Sequence, residues 1–168
     1  AYFIDAVETS GRVAFIPRGQ AVAASYNDDD LGAAETGETP RLAIQRGNET
    51  ELPRKVTVSY MDYDRDHEVN VQSAQRLTTS ALSESVIECA LVMSADEAAQ
   101  KAEITLVNAW IGREQIDFLL PYSEIARQPA DVVALSVAGE TWRVRITKID
   151  YSLPGALKCT STAERSDT

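Results

Sequence analysis

The chain is expected to fold as an α+β protein dominated by antiparallel sheet, a β-barrel or sandwich with one flanking helix at about residues 95–112. Three observations predict this. Short stretches with an apolar residue at every second position recur along the chain, as in half-buried strands. A single stretch, opening at Ser94-Ala95-Asp96-Glu97, switches to helical spacing. The connections are mostly short, as hairpins and meanders require.

In order, Arg12 to Pro17 (RVAFIP) reads as a strand between Gly11 and Arg18-Gly19. Residues 25–40 (SYNDDDLGAAETGETP) read as an exposed acidic loop, in which Asn27 or Asp28 caps a single helical turn. Arg41 to Arg46 is a strand with Leu42 and Ile44 on one face. Pro53 stands at the mouth of the next, Lys55–Met61, where its missing N–H costs the ladder nothing. An acidic turn leads to a strand carrying Val69 and Val71, and residues 77–85 form a polar connection.

Val86 to Met93 shows Ile87, Cys89, Leu91 and Met93 on one face and Val86, Glu88, Ala90 and Val92 on the other, so both faces are expected to be mostly covered. The helix then carries Ala98, Ala102, Leu106, Ala109 and Trp110 at helical spacing. Glu97 reaches back as a capping box and pairs with Lys101, and Gly112 caps the C-terminus. Ile116, Phe118 and Leu120 mark the next strand, and Asp131 to Val137 a buried one. Ala138-Gly139 turns the chain into Thr141–Asp150, and Leu153-Pro154-Gly155 leads to a last strand, Ala156–Thr160.

Length and charge narrow the function classes. The 168 residues suffice for a real core in one domain or two small ones. With 16 basic against 26 acidic side chains the net charge is −10, and no basic stripe is available to displace counterions from nucleic acid. Anionic membrane surfaces are disfavoured for the same reason. No apolar run approaches the roughly 20 residues that span a bilayer, so no membrane insertion is expected. The start, AYFIDAVETSG, lacks an initiator Met and a signal-peptide pattern and enters in mid-pattern, so the chain is read as a piece of a longer protein. Cys89 and Cys159 are read as buried free thiols.

Candidate chemistry is sparse. Asp62, Asp64 and Asp66 follow the D-x-D-x-D spacing of a calcium loop, but His67 stands where that loop needs Gly and Ser73 where it needs the bidentate Glu. The segment is read as a solvated hairpin connection, and Asn27-Asp28-Asp29-Asp30 as a wet loop. His67, the only histidine, has no nucleophile elbow or reactive-cysteine signature to serve. No catalytic, cofactor or metal residue is assigned, and neither an enzyme nor a cofactor is expected.

Several phrases carry a resemblance. ELPRKVTVSYMDYDRDHEVNVQSAQR (Glu51–Arg76), SGRVAFIPRG upstream and SADEAAQKAEITLVNAWIGREQIDFLLP downstream are similar, in that order, to a phage tail protein family. That family includes the hub or "megatron" protein of gene-transfer agents and the tip attachment proteins of lambda-like phages. QPADVV (Gln128–Val133) stands where the family has P-G-D-V-V, with Ala130 replacing the glycine.

The resemblance implies a tail-tube-like or baseplate-hub-like β-barrel in a virion tail tip, made in the bacterial cytoplasm, with a prophage as one source. Its partners would be other tail-tip proteins and copies of itself, as trimers in the full-length protein, closing a ring around the tail channel. The implied division is a β-rich segment 1–50, a hub-like barrel 51–160 with the helix, and a frayed tail 161–168. An acidic channel wall would let DNA slide without sticking. The alternative is a module binding a host-surface glycan or receptor, favoured if Tyr2, Tyr26, Tyr60, Tyr63, Tyr122 or Tyr151 lines a shallow groove.

Overall fold

The computed structural model describes residues 4–9, 11–33 and 40–164. The elements are β1 (Ile4–Thr9), β2 (Arg12–Pro17), β3 (Ala24–Asn27), β4 (Leu42–Arg46), β5 (Pro53–Asp62), β6 (Val69–Gln75) and β7 (Ser83–Met93). There follow α1 (Ala95–Ile111), β8 (Glu114–Leu120), β9 (Val132–Val137), β10 (Glu140–Asp150) and β11 (Leu157–Ala163). Two strands escaped the pattern reading. β1 ends in Glu8-Thr9, and β3 lies at the start of the stretch read as an acidic loop, where only Tyr26 is buried.

The chain forms two compact units, one from Gly47 to Trp110 and the other from the segments on either side. This departs from the division at 50 and 160: the helix belongs with the strands before it, and the strands after it belong with the N-terminal segment. Periodicity shows that Ala98, Ala102, Leu106 and Trp110 need an apolar partner but not which one.

In the 47–110 unit the three-stranded sheet runs β6-β5-β7, with β5 antiparallel to β6 and parallel to β7. The inward residues of β5, Val56, Val58 and Tyr60, are fully buried. Val56 packs with Leu106 and Trp110 of α1, together with Ala81, Leu52, Ala74 and Ile87. At the helix start, Ser94 N–H donates to Glu97 Oε2 at 2.9 Å and Glu97 N–H donates to Ser94 Oγ at 3.3 Å, completing the capping box.

Two helix expectations fail. Lys101 turns from Glu97 and donates to Cys89 Sγ at 3.1 Å, and Gly112 is not among the residues with positive φ, so it makes no left-handed cap. The coverage expected of β7 fails on both faces, because Val86 (66% exposed) and Val92 (45%) on one and Leu91 (61%) on the other face solvent.

The other unit is a six-stranded sheet in the order β3-β9-β10-β11-β8-β4 with a β1-β2 ribbon. All its pairs are antiparallel except β3 with β9. The sheet ends on β3 and β4, so the described strands close no barrel. Its core joins Tyr26, Leu31, Ile116, Phe118, Leu120, Val133, Leu135, Val144, Ile146, Leu157 and Cys159.

Residues Ser161–Ala163, read as part of a frayed tail, belong to β11. Ser161 is fully buried and its hydroxyl donates to the Ile116 carbonyl at 2.6 Å. Residues 165–168 lie outside the described residues, as do Tyr2 and the 34–39 part of the acidic loop.

Candidate interaction surfaces

The acidic turn after β5 is held by one of its own carboxylates. Asp62 is buried at 3% exposure because β5 continues its inward alternation one step past Tyr60. There it accepts from Asn70 Nδ2 at 2.8 Å, from the Asp64 N–H at 3.0 Å and from the Tyr60 hydroxyl at 3.5 Å. These donors, Asn70 first, hold its carboxyl below the ordinary carboxylate value. Asp66 and His67 both take left-handed φ values, 48° and 64°, as the chain reverses. Asp64, Asp66 and His67 are exposed; the His67 N–H donates to the Asp62 carbonyl at 3.0 Å and its ring stands edge-to-face with Tyr63.

The second acidic cluster is also a structural turn. Asp28–Asp30 form a single helical turn with Asn27 at its N-cap, and the Asn27 N–H donates to Asp30 Oδ2 at 2.9 Å. Asp28 Oδ2 accepts the Ala138 N–H at 3.1 Å, steadying the β9–β10 turn. Among the described residues no group of three His, Cys, Asp or Glu side chains is placed to hold a metal. The two cysteines are free thiols in separate units. Cys159 is buried, as read; Cys89 is only partly so.

Of the tyrosines weighed for ligand binding, Tyr26 and Tyr60 are buried. The Tyr26 hydroxyl donates to Glu124 Oε2 at 2.7 Å, and Arg127 bridges that carboxylate and Asp131. Burial and this hydrogen bond push the Tyr26 phenol above its ordinary value. Tyr63, Tyr122 and Tyr151 are exposed.

What the surface offers instead is apolar area. The outward face of the three-stranded sheet shows Met61, Val69, Val71, Val86 and Val92, and Val13 and Phe15 on β2 are 65% and 73% exposed. The other side of the ribbon is tied down. Asp5 on β1 pairs with Arg18 at 3.0 Å and with Arg145, which also faces Glu164 at 3.8 Å. Pattern reading detects these strands but not which face lacks a neighbour. A cavity of about 430 Å³ lies between β6 and α1, lined in part by Ala74, Arg76, Leu106 and Trp110. The Arg76 guanidinium sits 4.2 Å over the Trp110 ring.

The family model described as "Putative phage tail protein" matches residues 1–149, most of the length. The chain belongs to that family. Among solved structures, a chain of the virion of a native gene transfer agent particle superposes with a TM-score of 0.86 at 24% identity, covering 97% of this chain and 36% of its own. The 43 kDa tail protein of prophage MuSo2 from Shewanella oneidensis gives 0.57 at 14% identity, with 99% and 51% covered. A tail protein from Neisseria meningitidis MC58 gives 0.53 at 10% identity, with 89% and 48% covered. No curated protein sequence matches.

These likenesses show a shared fold. The chain spans between about a third and a half of the length of these matched chains. Ala130, where the resemblance places a glycine, takes a φ of 73°, in the region that a glycine adopts without cost.

Proposed function

We propose that this chain is a structural domain of a tail-tip or baseplate hub, located at the tail tip of a phage or phage-like particle. It works by packing against neighbouring tail proteins and copies of itself, not by catalysis. The observation that carries the reading is the superposition of 97% of the chain on part of a gene-transfer-agent virion protein. The exposed Val69, Val71, Val86 and Val92 on the outward face of the three-stranded sheet support it, because contiguous exposed apolar surface marks a protein contact.

In the full-length protein the proposed assembly is a trimeric ring around the tail channel. The net charge of −10 suits a wall that repels DNA phosphates and lets the duplex slide. No specific nucleic-acid contact or membrane insertion is part of the reading; no helix among the described residues is long and apolar enough to cross a bilayer.

Immunogold labelling of particles with antibody raised against this chain tests the placement. Gold at one end of the tail is the expected result. Intact and disrupted tips that both stay unlabelled would overturn it.

A further inference from the structure

We infer that the groove between β6 and α1 is a docking site for an extended peptide segment of another tail protein, which adds to the free edge of β6. Four consecutive residues, Ser73, Ala74, Gln75 and Arg76, line the cavity. Successive strand side chains point to opposite faces, so a cavity touched by all four runs along the main-chain edge. β6 is the end strand of its sheet.

The hydrogen-bond phase identifies the edge groups. The Arg76 N–H donates to the Arg54 carbonyl at 2.8 Å and the Asp62 N–H to the Glu68 carbonyl at 2.9 Å. Antiparallel pairs alternate between hydrogen-bonded and not, so residues 70, 72, 74 and 76 turn their main-chain groups to β5. Val71, Ser73 and Gln75 therefore turn theirs away from it; the Val71 N–H donates to Asn70 Oδ1 at 2.8 Å, so Ser73 and Gln75 are the groups with which an added strand would pair.

Across the groove, Ala99, Glu103, Leu106, Val107 and Trp110 form one helical stripe. The strand side is about 10 Å long at roughly 3.3 Å per residue, room for three or four guest residues. Small and apolar Ala99, Leu106 and Val107 would take every second guest side chain. Exposed Arg76 calls for a carboxylate on the guest, and Glu103 for a cation. A sugar would need the open face of an aromatic ring, and the Arg76 guanidinium covers that of Trp110. The inference stands on the groove and is independent of where in the particle the protein sits.

The test is a titration of the ¹⁵N-labelled chain with N-acetyl-Lys-Val-Thr-Val-Asp, read by amide chemical shifts. Saturable shifts at Ser73, Gln75, Leu106 and Val107 are expected. Replacing the central Thr of the peptide by Pro, which cannot donate to a ladder, should weaken binding at least tenfold, about 1.4 kcal/mol. Ala99→Trp, filling the groove, should do the same while the variant's thermal unfolding matches wild type. If that variant misfolds, the proline peptide alone decides. No shift at these residues up to about 1 mM peptide, the onset of measurable affinity, would overturn the inference. Equal binding of the proline peptide would also overturn it, as would shifts here with an N-acetylglucosamine tetramer and none with peptide. Concentration-dependent shifts of β6 without peptide would replace the foreign segment by a second copy of the chain.

Discussion

Ala130 and Ala138 both sit in the left-handed region, at φ 73° and 53°, yet they should respond differently to substitution. A non-glycine residue there costs about 1–2 kcal/mol. Ala138 is exposed beside Gly139 (φ 83°), a pair of positive φ values that matches the hairpin turn favouring Asn-Gly. Ala138→Asn should therefore raise the urea midpoint by the equivalent of about 0.5–1 kcal/mol. Ala130 is 5% exposed. Ala130→Gly relieves the strain but loses about 0.8 kcal/mol of methyl burial and about 0.5–1 kcal/mol of backbone entropy. Near-neutral stability is the expected outcome, and a gain above about 1 kcal/mol would contradict the assigned burial. The cysteines separate as cleanly. Burial pushes the Cys159 thiol up to about 12, leaving almost no thiolate at neutral pH. A maleimide counted by mass spectrometry should modify Cys89 alone in the native protein and both thiols after denaturation.

Among the elements, α1 was the most legible from sequence, because a capping box and a stripe at every fourth residue are local signals. Ser94→Ala removes the hydroxyl that accepts the Glu97 N–H. It should cost about 1 kcal/mol, read as a lower melting temperature of the 47–110 unit. The ribbon β1-β2 was half legible, since RVAFIP alternates but its partner strand ends in polar residues. What holds it is a contact at long sequence separation. Asp5 and Glu164 share Arg145, which is 13% exposed. Arg145→Ala leaves both carboxylates without this cation in a poorly hydrated place, so a loss of at least about 2 kcal/mol is expected. Faster amide exchange throughout β1 and β2 would locate the damage, and unchanged exchange there would show that the ribbon is held otherwise.

For the molecule as a whole, acid sensitivity should come from a few named carboxylates. Asp62, Glu97 and Asp150 all have folded pKa values below their ordinary 3.8, 4.5 and 3.8, through Asn70, Ser94 and Ser152 respectively. A carboxylate lowered by folding contributes stability that is fully present above its unfolded pKa. That contribution is lost as pH falls through the folded one. The urea midpoint should thus hold on the neutral side of about pH 5 and drop on further acidification. Asn70→Ala should move the Asp62 carboxyl titration upward by NMR; an unmoved titration would remove Asn70 as the cause.

By itself the sequence determined the class of the protein and most of its pieces. The alternating strands, the capped helix, the turn at Ala138-Gly139, the acidic surface and the lack of a catalytic motif are all short-range or compositional properties. Resemblance in several ordered phrases then pointed to the tail family, and the family match confirms it. Only the tertiary structure decided which pieces share a core. Two parallel pairings, β3 with β9 and β5 with β7, join strands that no hairpin links. The sheet on which α1 packs, the faces of β7 left open and the free edge of β6 follow from that assembly. The reason is physical: periodicity records that a face is buried, whereas the identity of its partner is set by packing between segments distant in sequence.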